Sequence, residues 1–205
     1  MDTLTFRERP AAGDAAGLLV LHHGRGADER DLLGLGEMLD PGRRLHVVTP
    51  RAPLEIGGGY HWYVVPRVGY PDPETFHAAF GSLAAFHDQL WERTGIDPAD
   101  TVFGGFSMGS VMSYSMGLGG DRPKPAGILA FSGFIPIVDG CNPTLPPARI
   151  CLCSSPTGGA TRSWRSISLD APRRCWRPPG CLSNTTSPMP DMRSTPVICG
   201  PRKTG

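Results

Sequence analysis

The sequence predicts an α/β protein built on a mostly parallel sheet with helices on both faces. Gly17-Leu18-Leu19-Val20-Leu21-His22 is an unbroken apolar run, the mark of a strand covered on both faces. Strand-like and helix-like stretches then alternate along the chain, as βαβ units do. Thr101-Val102-Phe103, another short apolar run, enters Gly105-Phe106-Ser107-Met108-Gly109 and leaves into small, helix-compatible residues. This G-x-S-x-G pattern, with a strand before it and a helix after it, sets a serine in a strained corner with its hydroxyl above the sheet edge. Glycines flank it because a Cβ would clash where strand and helix pack closely.

Taken in order, Leu4 to Arg7 reads as an edge strand and Gly17 to His22 as the buried one. Asp28 reads as the N-cap of a helix through Met38, with Leu32, Leu33, Leu35 and Met38 along one side. Leu45 to Thr49 is the next strand, closed by Pro50. Arg51 to Glu74 is a long Gly/Pro-rich loop carrying Gly59-Tyr60-His61-Trp62-Tyr63, and loops of that length are functional or disordered. From Pro73 to Thr94 an apolar stripe of Phe76, Ala79, Phe80, Leu83, Phe86 and Leu90 recurs at helical spacing and reads as core. Thr101–Phe103 and Ile128–Phe131 are further strands, with the post-serine helix between them.

At 205 residues and 40% hydrophobic, the chain is one ordinary domain with enough apolar surface for a core. No run approaches membrane-spanning length, and charges sit in the first nine residues where a signal peptide needs an apolar segment. The expectation is a soluble, cytoplasmic protein. The averages conceal a break, however. All six histidines precede residue 90 and all six cysteines follow residue 140. Residues 151–205 hold eight Lys/Arg against two Asp/Glu, and no Phe, Tyr, Glu or His. Prolines from Pro143 to Pro201 leave no room there for a useful helix. The sequence therefore divides into a core, 1–140, and a tail, 141–205, that reads as disordered.

A serine nucleophile needs a base, an acid to orient that base, and donors for the oxyanion. The Met108 N–H, at the start of the helix, is one donor. The Gly24-Arg25-Gly26 loop after the buried strand offers the second. LLVLHHGRGADERDLLGL, GGYHWY, GGFSMGS and AGILAFSGFIP together resemble the bacterial carboxylesterase/phospholipase family, which includes the acyl-protein thioesterases. The resemblance spans roughly residues 15–140 in that family's order and spacing. It implies an α/β-hydrolase fold that cleaves carboxylic esters or thioesters of small molecules, with no cofactor or metal. It implies Ser107 as nucleophile, Arg25 and Met108 as oxyanion-hole amides, and Gly24 and Trp62 at the substrate. Met108 replaces the family's frequent Gln, a change of little weight where only the backbone acts.

The triad is where the chain departs. The family order is Ser, then Asp, then His, and no histidine follows Ser107. Asp121, Asp139, Asp170 and Asp191 remain as acids without a histidine to orient. His22 and His23 end the buried strand and read as packed under the site rather than as a substitute base. His61, His77 and His87 read as loop or helix-surface residues.

The genetic code offers an account of the tail. If it is read out of frame, each true codon joins the third base of one codon to the first two of the next. Asn184 through Gly205 then permits YHESDAGHEIDPRHLRAAEDW. Met189 into Pro190 can give only Ala, Pro190 into Asp191 only Gly or Arg, and Asp191 into Met192 only His or Tyr. The D-A-G-H segment that bears the family's catalytic histidine is thus nearly forced. Pro156 to Thr161 permits H-G-x-x-D, which resembles the loop of the catalytic aspartate. The slip falls between about Gly140 and Cys151.

On this reading the scattered cysteines form neither a zinc pattern nor a disulfide framework. The tail arginines, dispersed among prolines, do not make a nucleic-acid surface, and the sequon at Asn184 lacks a secretory context. The rival is a pseudo-hydrolase that binds acyl ligands and carries a disordered interaction arm. Oligomeric state is open.

Overall fold

The computed structural model describes residues 4–138 in full, together with the backbone of Ile150–Cys153 and Arg165–Ser166. A seven-stranded sheet runs in the order β1-β3-β2-β6-β7-β8-β9. Its strands are β1 (Phe6–Arg9), β2 (Leu18–His22), β3 (His46–Pro50), β6 (Thr101–Phe106), β7 (Gly127–Phe131), β8 (Ile150–Cys153) and β9 (Arg165–Ser166). The five inner strands are parallel, and β1 and β9 close the two edges antiparallel. This is the mostly parallel α/β arrangement the sequence predicts. Strands β8 and β9 fall inside the stretch assigned to the tail. The other expectations for 141–205 lie outside the described residues.

β2 is buried at every position because both of its faces are covered. Leu18 and Val20 pack, with Val48 and Phe103, against α2 (Pro73–Thr94) and α3 (Met108–Leu118). Leu19 and Leu21, with Val47 and Leu129, meet α1 (Leu33–Leu39) and the residues around it. The period-two alternation of an extended chain thus supplies two cores from one apolar run.

α2 is started by Asp72, whose side chain accepts from the Thr75 amide, with Pro73 at the first turn. It stops at Gly95, which takes the left-handed conformation at φ 67°. Phe76, Ala79, Leu83, Phe86 and Leu90 form its buried stripe, as their spacing requires. α3 has no solvent-facing side, since every residue from Met108 to Leu118 is buried.

Two elements differ from expectation. α1 begins at Leu33 rather than after Asp28, because the Asp28 carboxylate accepts from the Arg30 amide and closes a local turn instead of capping a helix. Met38, expected on the apolar side, is 72% exposed, and Leu39 is the buried residue. The long loop after β3 contains a hairpin of β4 (Leu54–Ile56) and β5 (Gly59–His61). Gly57 and Gly58, at φ 52° and 87°, form its two-residue turn, which needs positive φ at both positions.

Candidate active site

Ser107 lies between β6 and α3 at φ 51° and ψ −112°, a backbone state that non-glycine residues keep only when their surroundings enforce it. The surroundings are visible. The Ser107 amide donates to the Phe131 carbonyl at 2.7 Å, and the Ser107 carbonyl accepts from the Ser110 amide at 3.0 Å. The Ser110 hydroxyl bonds the Gly105 and Phe131 carbonyls, which ties β6, α3 and β7 together beneath the turn. A Cβ on Gly109 would run into the backbone carbonyl of His22, and one on Gly105 into the backbone of Gly109. The sequence puts glycine at both because helix and strands meet there backbone to backbone.

Met108 is the first residue of α3, where helix geometry leaves the N–H without an intrahelical acceptor. Gly24 lies against the Phe106 ring and carbonyl, with space for a Cβ only 3.1 Å from the ring. Ser107, Met108 and the Gly24-Arg25-Gly26 loop are therefore neighbours. Arg25 is exposed, while Gly24 is buried. Trp62 is fully buried beneath them, its indole donating to the His23 carbonyl at 2.9 Å. The Trp62 amide donates to Met108 Sδ at 3.3 Å, so the Met108 side chain also anchors the loop after β5.

Both candidate substitute bases are engaged elsewhere. His23 Nδ1 meets the Gly24 carbonyl at 2.7 Å and its Nε2 accepts from the Ala52 amide at 3.0 Å. His22 Nδ1 lies 2.8 Å from Ser113 Oγ and its Nε2 lies 3.2 Å from His87 Nε2. His87 is not the surface residue the sequence suggested. It is fully buried and stacked at 4.5 Å on Phe103, because α2 turns this face toward the sheet.

The hydrogen bonds fix the tautomers. Ser113 donates to the Gly109 carbonyl, so its lone pair takes the His22 Nδ1–H. His22 Nε2 then accepts from His87 Nε2–H, and His87 Nδ1, without a partner among the described residues, carries only a lone pair. Burial holds both rings neutral, with His22 pushed down to about 3 and His87 well below its ordinary range. Of the candidate acids, Asp121 is exposed; Asp139, Asp170 and Asp191 lie outside the described residues.

A second network, not singled out in the sequence, borders the site. The Arg51 guanidinium grips the Glu29 carboxylate with Nε–Oε2 at 2.7 Å and Nη2–Oε1 at 2.9 Å. Its Nη1 donates to the Tyr60 hydroxyl at 3.2 Å. The arginine holds the Glu29 carboxyl down at about 2. The only signal in the sequence was an acid inside ADER and a base just after a strand-ending proline.

Comparison with known proteins agrees with this fold. The phospholipase/carboxylesterase family model matches residues 9–150. The crystal structure of esterase PE8 superposes with a TM-score of 0.61 at 35% identity, over 73% of each chain. Carboxylesterases from Bacillus cereus and Mesorhizobium loti superpose with TM-scores of 0.60 and 0.59, both at 22% identity. The first pairing covers 68% of this chain and 64% of the other, the second 65% and 62%. These two show the fold. No match was found among curated protein sequences. The chain belongs to the phospholipase/carboxylesterase family of α/β-hydrolases.

Proposed function

We propose that the chain descends from a cytoplasmic serine hydrolase of small carboxylic esters or thioesters, with Ser107 as nucleophile. In that reaction Ser107 Oγ adds to the acyl carbon while the Arg25 and Met108 amides stabilise the oxyanion. The alcohol or thiol then leaves, and water releases the acid. The observation that carries the reading is Ser107 held at positive φ between β6 and α3, with the Gly24-Arg25-Gly26 loop beside it.

The chain as written is crippled. It lacks a histidine after Ser107, and His22 and His23 are committed to other partners. Loss of the base from such a triad costs on the order of 10⁶ in kcat. The missing aspartate and histidine are those permitted by the shifted frame. Restoring that frame raises turnover of a short-chain p-nitrophenyl ester by at least about 10⁴ and brings rapid labelling by a fluorophosphonate. Rapid turnover by the chain as written, abolished by His23→Ala, would overturn this account. So would a nucleotide sequence across codons 140–151 with no open path to D-A-G-H.

The pseudo-hydrolase reading draws on a different observation. Phe106 precedes Ser107, Phe134 and Ile135 follow Gly133, which lies against the Ser107 carbonyl, and the three are 44, 40 and 39% exposed, a surface suited to acyl chains. Acyl-ligand binding without restored activity in the corrected frame would favour it.

A further inference from the structure

We infer that Glu29, Arg51 and Tyr60 are positioning residues that hold the Gly24–Ala27 loop, and with it the Arg25 amide, in register with Ser107. The inference rests on the oxyanion role proposed for that amide. The loop leaves β2 and belongs to no sheet, so only specific contacts fix it. Tyr60 grips its middle, since the Gly26 amide donates to the Tyr60 carbonyl at 2.8 Å and the Tyr60 amide to the Ala27 carbonyl at 2.9 Å. Glu29 grips its far end. Its carbonyl accepts from Thr49 Oγ1 at 2.6 Å, and its carboxylate takes the Arg51 fork.

Arg51 joins the two grips. Its guanidinium reaches Glu29 on one side, donates to the Tyr60 hydroxyl on the other, and sits 4.5 Å from the Tyr60 ring centroid. Arg51 directly follows β3, so the frame of the sheet is carried through one side chain to the loop and to the hairpin. Glu29 is 1% exposed, and a buried ion pair of this kind does not need to raise stability over an apolar filling. Directional, bidentate contacts are what place a loop to within the tolerance an oxyanion requires.

A cavity of about 490 Å³ is bounded by Arg51, Tyr60, Ala52, Pro53, Phe86 and Gln89. It gives a small cation a route to Glu29 when the arginine side chain is removed. A chain without its base keeps the residual catalysis supplied by oxyanion hole and binding, so saturable hydrolysis of p-nitrophenyl butyrate by the full chain reads the hole directly.

Arg51→Ala is expected to lower kcat about 10- to 100-fold with KM within about twofold, and added guanidinium to restore part of the loss. Tyr60→Phe leaves Glu29 paired and the fold intact, and lowers kcat about threefold or more. Arg122→Ala, at a surface pair with Asp88, changes neither constant. Saturable turnover in the parent with kcat unchanged in both site variants overturns the inference alone. A loss that tracks melting temperature and ignores guanidinium also overturns it. No saturable turnover in the parent removes the oxyanion reading and the inference together.

Discussion

His22 and His87 are core residues with a titration penalty. His22 and His87 are neutral when folded, and their ordinary value is 6.5. Below that value the unfolded chain binds protons that the folded chain refuses. Their contribution is fully present above about pH 6.5 and is lost as pH falls toward 3. Glu29 acts in the same direction but lower, since its carboxyl is depressed from 4.5 to about 2. Between about pH 6.5 and 4.5 these two act without the carboxylates, together with His23 and His61, which burial also lowers. Urea midpoints measured across that interval should fall steadily, and His87→Leu should reduce the slope by about one proton. A slope unchanged by the substitution would contradict the neutral pair. The packing of His22 was legible from the sequence; that of His87 was overlooked, although it lies beside Phe86 and four residues after Leu83 on the stripe that reads as core. Met108 is a similar case. Its position on the elbow was clear, but its sulfur accepting from the Trp62 amide depends on a loop 46 residues away.

At the scale of elements, what the sequence disclosed depended on how local the cause was. β2 and α2 were plain because an apolar run and a helical stripe are their own explanation. The elbow was plain because Gly105 and Gly109 are demanded within one turn. The start of α1 was misread because Asp28 can close a turn as readily as cap a helix. The β4–β5 hairpin is hidden in a Gly/Pro-rich stretch, although Gly57-Gly58 is a two-residue turn signal. Glycines of equal appearance then separate by environment. Gly81 faces solvent in α2 with nothing near a new Cβ, so Gly81→Ala should raise stability by about 0.5–1 kcal/mol. Gly109 meets the backbone of His22, and Gly109→Ala should lower it by about 3 kcal/mol or more. Thermal melts of the two variants decide this, and equal shifts would refute the packing described.

For the whole molecule, family and architecture were visible in the first 140 residues, because five of the seven sheet strands and the helices were spelled out there, whereas β8 and β9 were not. The exposed side of the site was not visible. Phe134, Ile135 and Ile137 follow β7 directly, and Ile137 is 88% exposed. Apolar surface of this kind promotes association. The chain should self-associate in light scattering at micromolar concentration, and Ile137→Asp should shift it toward monomer. A monodisperse parent would count against the idea.

The strand order carries one more consequence. The sheet grows outward from β2, first through β3 to β1 and then through β6 to β7. Among the described residues, β8 and β9 join the single margin beyond β7, and neither lies between earlier strands. A change in the chain downstream of that point therefore alters a border rather than the centre of the sheet. Borders can be supplied from outside. If the shifted-frame proposal holds, the repair is complementation in trans, in which a separately made fragment from the correct frame takes the margin that β8 and β9 hold here and brings Ser107 its histidine.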